Sequence, residues 1–413
     1  SVLLKNLVPP ITAVEYTDNE NGTGTLTLTS ANLTDGYGLG FAEGQDVKSL
    51  LNWDNFIWNA NGSGDASSTV TFVSTDIVTA TVVDSTTMTV TVSADKNSSL
   101  KLTDGFAAQG SADSVTIKAG LIQDVTGNKT TDAATITPTI IDNISPTVTS
   151  FTTDAVTGSY GKGASIVITA TTSEAVAAGG TLTATFGFGG TVVLTASSSG
   201  TVLTGTYVVP ANVSTTSLSL SSFTTTATDL YGNALSMTVP TGSVFAGKAI
   251  AIDTSAPATT ITAVEYEDNV DGTGTLTLTG TNFTGTNGLG LALSSDAQSY
   301  LNWDNFVWNA NGSGDASSTV TFASTDIVSA TLTNSTTMTI TVSADKNSSL
   351  KLTDGFAVQG TADGIAVTAG FINDVAGNAS ATDAAAITQT YADEIRPTVT
   401  SFTTDAVTGS YGK

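Results

Sequence analysis

LNWDNFIWNANGSGDASSTVTF, residues 51–72, returns at 301–322 as LNWDNFVWNANGSGDASSTVTF, with Val307 in place of Ile57 as the one change. All four tryptophans of the chain, Trp53, Trp58, Trp303 and Trp308, lie in these two copies. A repeat this long marks an array of folding units. Outward from it, ITAVEY at 11–16 recurs at 261–266, and KLTDGF at 101–106 recurs at 351–356. DVTGN at 124–128 returns as DVAGN at 374–378, and PTVTSFTTDAVTGSYGK at 146–162 returns at 397–413. The chain therefore reads as a linker or partial strand (1–10), a unit A (11–143), a unit B (144–256), a second A (257–393) and the first strand of a second B (394–413). A lone first strand is an unpaired edge. The expectation is an A–B–A–B series continuing in a longer protein; completion of another chain is the alternative.

The composition points to β structure. Apolar residues make up 40% of the 413 residues and charged ones 12%, with Thr, Ser, Ala, Val and Gly dominant. Thr and Val suit pleated, half-buried surfaces. Thr25-Leu26-Thr27-Leu28-Thr29 and Thr87-Met88-Thr89-Val90-Thr91-Val92 alternate with period two, as does Ser165–Ala170. Period two places one residue set on the core face. Gly, Asn and Asp loops punctuate these runs, which predicts antiparallel sandwiches. The one helical spacing is around Asp46–Trp53, where Val47, Leu50 and Leu51 fall at i, i+3, i+4. The lysines Lys96, Lys101, Lys346 and Lys351 read as solvated residues on a strand and its loop.

With no Cys and no His, disulfides, His- or Cys-ligated zinc and His-based nucleophilic triads are excluded. The net charge is −24, from 12 Lys+Arg against 36 Asp+Glu. Nucleic acid and anionic membranes are poor partners for that charge, and divalent cations are good ones. No apolar run is long enough to span a bilayer, so no membrane insertion is expected of this stretch. No carboxylate pair stands out from the loop acids as a hydrolytic pair, so no enzyme activity is expected.

The acids concentrate in loops. Three unit ends carry D-x-x-G-N: Asp124/Asn128, Asp229/Asn233 and Asp374/Asn378. Each is followed by an aspartate in a proline-bearing joint, Asp142 in IDNISP, Asp253 in IDTSAP and Asp393 in ADEIRP. Glycine permits the bend, and Asp, Asn and carbonyl oxygens are hard ligands. The expectation is a calcium clip between each loop and the joint aspartate after it; the alternative is an Asx turn bonded only to itself. A second acidic loop, EDNVDGTG at 267–274, sets Asp268 and Asp271 like half a calcium loop, or forms a plain Asp-Gly hairpin turn. Its first copy has Asn21 for Asp271. The tryptophans read as packing residues or as a platform for glycans. Asp54, Asp65 and Asp76, with Asp304, Asp315 and Asp326, are further candidates for calcium inside a unit.

D-x-x-G-N late in a β-unit, followed by I-D-x-S-A-P into the next strand, resembles the tandem bacterial immunoglobulin-like domains of large secreted, RTX-type surface adhesins. Unit B carries the resemblance best, in SPTVTSFTTD, ASIVITATTSEAV, LTGTYVV, ATDLYGNALS and IDTSAP. It implies an all-β protein of Ig-like sandwiches in an extended rod, calcium at the joints and an extracellular, cell-surface place. Unit A is longer than B and departs from the pattern with its tryptophan stretch; RTX nonapeptides are absent. The expected role is a calcium-stiffened structural or adhesive repeat segment. Its partners would be neighbouring repeats of its own or like chains, with surface glycans as a further candidate. A self-assembling S-layer or filament subunit is the alternative, and a carbohydrate-binding module the third.

Overall fold

The computed structural model describes residues 9–34, 38–61, 66–103, 106, 113–130, 134–285, 288–312, 315–357, 363–381, 387–393 and 399–404. Asp65 and most of 394–413 lie outside them. Strands hold 45% of the chain and helices 9%, so the all-β expectation is met. The buried apolar side chains fall into three clusters, bounded by Ile11 and Ile122, by Val148 and Ile252, and by Ile261 and Ile372.

The first core lies between two sheets. One holds β1 (Ile11–Asp18), β2 (Gly24–Ser30), β5 (Ile77–Val82), β6 (Thr87–Val92) and β9 (Thr139–Asp142), in the order β5-β6-β2-β1-β9. The other holds β3 (Phe56–Asn59), β4 (Thr69–Thr71), β7 (Ser114–Ile117) and β8 (Ala134–Ile136), in the order β4-β3-β7-β8. The Thr-Leu alternation does what period two requires. Leu26 and Leu28 are buried opposite Val90 and Met88, while the threonines between them stay half-exposed. From the facing sheet, Phe56 and Trp58 point inward, and Ile57 and Asn59 do not. Edge-on ring contacts join Trp53 to Phe56 and Tyr16 to Trp58, at 5.7 and 5.6 Å between centroids.

The middle core lies between the sheet β10-β12-β15-β14-β13-β17 and the sheet β11-β18-β16. These strands are β10 (Val148–Thr153), β11 (Gly158–Tyr160), β12 (Ser165–Val176), β13 (Thr181–Phe186), β14 (Thr191–Thr195), β15 (Gly200–Val208), β16 (Ser214–Thr215), β17 (Leu220–Thr225) and β18 (Ile250–Asp253). Along β12 the register with β15 slips between Thr171 and Val176. Such a bulge re-aims side chains, and here the segment that leaves the ladder carries Glu174.

The second copy rebuilds the first. It uses β19 (Thr260–Asp268), β20 (Gly274–Thr281), β21 (Phe306–Asn309), β22 (Thr319–Thr321), β23 (Ile327–Asn334), β24 (Thr337–Val342), β25 (Gly364–Val367) and β26 (Thr388–Asp393). Leu276 pairs with Ile340 as Leu26 pairs with Val90.

Three expectations are corrected. The sheets are not wholly antiparallel: β1 runs parallel to β9, β11 to β18 and β19 to β26. Parallel neighbours need a long crossover, and the rest of each unit is that crossover. The helix expected near Asp46–Trp53 is two 3₁₀ turns, Lys48–Leu50 and Trp53–Asn55, with Val47 and Leu51 buried. The α-helices among the described residues are α1 (Ala94–Lys101) and α2 (Ala344–Lys351). Lys96, Lys101, Lys346 and Lys351 are therefore helical, not on strand and loop. Ser93 and Ser343 cap the N-termini by accepting from the N–H of Lys96 and Lys346.

Candidate functional site

Each D-x-x-G-N stretch closes as a tight turn around its own aspartate. Asp229 Oδ1 accepts from the N–H groups of Tyr231 and Asn233 at 2.8 Å, and its Oδ2 accepts from Asn233 Nδ2 at 2.7 Å. Asp374 holds Ala376 and Asn378 in the same way, as Asp124 holds Thr126 and Asn128. The glycines Gly127, Gly232 and Gly377 sit at φ of 91°, 96° and 84°, a region that penalises side chains. All three aspartates are buried. Burial alone would raise the Asp124 carboxyl, but hydrogen bonds from Asn128 and Thr126 hold it below the usual range.

The loops do face joint aspartates, in a register that corrects the expectation. Asn233 Nδ2 donates to the backbone oxygen of Asp142 at 2.8 Å, and Asn378 Nδ2 donates to that of Asp253 at 2.8 Å. These two loops thus dock on the joint before their unit, not on the one after it. Asp142 is brought to Asp229 rather than to Asp124, and Asp253 to the Asp374 loop rather than to Asp229. The amide of Asn128 is spent inside its own loop, on Asp124 and Thr126. Asp393 ends β26 beside Asp268, as Asp142 ends β9 beside Asp18.

At the first joint a third acid arrives. Asp142, Glu174 and Asp229 each place a carboxylate oxygen within 4.8 Å of the others. They line a cleft of about 150 Å³, whose other walls include Tyr16, Phe106, Ile140 and Tyr231. The nearby cation, Lys101, is already paired with Asp18. Burial first, then the Asp142 and Asp229 charges, pushes the Glu174 carboxyl up to about 7. Asp142 is also raised, by burial first and then by Asp229 and Asp18, against the pull of the Ile144 N–H. Two like charges at this separation repel by roughly 3 kcal/mol at an effective dielectric of about 20. The cluster is therefore short of positive charge.

The second joint differs. Asp253 Oδ1 accepts from the Ser255 N–H at 2.9 Å, and no third acid joins Asp253 and Asp374 among the described residues. The units meet there through backbone: a Cβ on Gly161 would lie 2.4 Å from the Ala376 oxygen.

The remaining candidates have other partners. Asp268 accepts from Asn347 Nδ2 at 2.7 Å and pairs with Lys351 at 2.8 Å. Asp271 makes a turn with Thr273, whose hydroxyl and N–H hold its carboxyl below the usual range. Asn21 bonds Thr23 in the same way in the first copy, so this loop is the hairpin turn, and Asn serves it as well as Asp. Asp76 and Asp326 pair with Lys96 and Lys346, each at 3.2 Å. Asp54 and Asp304 sit exposed on 3₁₀ turns, and Asp315 is a backbone acceptor for Thr319. The glycan platform is corrected outright. Trp53, Trp58, Trp303 and Trp308 are all buried, Trp58 and Trp308 completely, so no indole face is open for stacking.

Sequence reasoning missed Glu174 and Tyr231. Glu174 signals itself only as an acid interrupting the apolar alternation of Ser165–Val176; Tyr231 signals itself as the aromatic in one of three matching loops. The chain matches no family model and no curated protein.

Proposed function

We propose that this chain is a structural or adhesive repeat segment of a large extracellular surface protein, built of Ig-like units in a rod whose first joint is stiffened by calcium. The observation that carries the reading is the convergence of Asp142, Glu174 and Asp229, one residue from a joint and two from the unit that follows it. The donor set fits a hard cation: three carboxylates, in a chain with no His and no Cys. Calcium takes about 6–8 oxygens, so carbonyls and water would complete the shell. Extracellular modules bind calcium at roughly millimolar affinity, which keeps such a site filled outside cells. The route of the chain also favours a rod. Because β9 runs parallel to β1, the chain enters this unit at one end of the sheet and leaves at the other.

At tenfold excess over its dissociation constant, calcium adds about 1.4 kcal/mol to the bound geometry. EDTA should therefore lower the melting temperature by a few degrees and broaden the distance distribution in small-angle scattering. Unchanged melting and scattering on chelation would sink the proposal.

A further inference from the structure

Tyr231 is the third residue of its D-x-x-G-N loop, where the other two loops carry Thr126 and Ala376. Its side chain lines the joint cleft together with Tyr16, Phe106 and Ile140 of the first core. That core holds a buried polar pair, in which Trp58 Nε1 donates to Asp113 Oδ2 at 2.7 Å, and Trp58 packs against Tyr16 and Phe106 of the cleft wall. The second copy repeats the pair, with Trp308 Nε1 on Asp363 Oδ2 at 2.7 Å. There Asp363 Oδ2 has a further donor, the Tyr391 hydroxyl. The Tyr391 ring packs on Trp308 and Phe356, at 5.8 and 5.5 Å between centroids. In the sheet register Tyr391 stands beside Tyr266, and the same place beside Tyr16 is held by Ile140. The first copy thus has an isoleucine where the second has its tyrosine. Tyr231 reaches the corresponding cleft from the next unit.

We propose that Tyr231 is a docking residue, supplying to the Trp58–Asp113 pair across the joint the hydroxyl that Tyr391 supplies to Trp308–Asp363 from within. The partner this cleft fits is a β-unit whose turn loop bears a tyrosine at its third position. DVTGN and DVAGN loops cannot fill it. The second copy, filled by its own Tyr391, offers a different surface to a neighbour. This keying uses no cation, although Tyr231 lines the same cleft as the three carboxylates and its N–H bonds Asp229 Oδ1; working in EDTA separates the two.

The test is hydrogen exchange on the full chain in EDTA, following the β7 and β25 amides beside Asp113 and Asp363. Tyr231→Phe and Tyr231→Ala should each speed exchange in β7 about tenfold, the scale of one hydrogen bond to a charged group, and leave β25 unchanged. Tyr391→Phe should do the converse. Ile140→Tyr added to Tyr231→Ala should restore β7 protection. Unchanged β7 exchange in both Tyr231 variants would overturn the proposal. So would faster exchange spread over the whole first core without rescue by Ile140→Tyr.

Discussion

Glu174 shows how one residue acquires a role from where its strand breaks step. Held in regular register it would be one more position on the face of β12; the slip between Thr171 and Val176 delivers it to Asp142 and Asp229. Its carboxyl is raised from 4.5 to about 7. Between those values the folded chain holds more protons than the unfolded one, so stability falls as pH rises through that window. The penalty is complete above about pH 7 and gone below about 4.5. In EDTA the chain should melt higher at about pH 5.5 than at about pH 8, and Glu174→Gln should flatten that difference. Saturating calcium should reverse the order, because it requires the deprotonated cluster. Calorimetry at the two pH values with and without calcium reads both effects.

At the scale of the element, α1 and α2 are anchored by polar contacts rather than by an apolar stripe. Asn97 accepts from the Tyr16 hydroxyl and donates to Asp18 Oδ1 and to the Gly22 oxygen at 2.7 and 2.9 Å. Asn347 repeats this with Tyr266, Asp268 and Gly272. Asn97→Ala strands two buried partners and should cost about 2–3 kcal/mol, while Ser98→Ala on the exposed face should be neutral; urea melts of the two variants test this. The same anchoring explains why the helix escaped the hydrophobic pattern. Its buried residues are Asn97 and Leu100, one of them polar, so no i, i+3, i+4 apolar signal exists. Strands such as Gly24–Ser30 were legible because Leu and Thr alternate across a one-sided core. The D-x-x-G-N turns were legible because their bonds are local. Which joint each turn faces was not, since that depends on how whole units stack. The tryptophans stand among polar neighbours, which left packing and a glycan platform both open in the sequence; Trp53 and Trp58 turn inward from a 3₁₀ turn and a short strand and pack.

Over the described residues of the whole molecule, the two joints differ in kind. The first gathers three carboxylates and an inserted tyrosine; the second closes by backbone approach at Gly161 and a single asparagine bond to Asp253. On this account cation dependence belongs to the first joint alone, and stripping calcium frees one joint while the other stays set. Isothermal titration of calcium into the chelator-stripped chain tests this most directly. The expected result is one class of site near one ion per chain, abolished by Glu174→Gln and left intact by Asp253→Asn. No binding heat, or binding that survives Glu174→Gln, would contradict it.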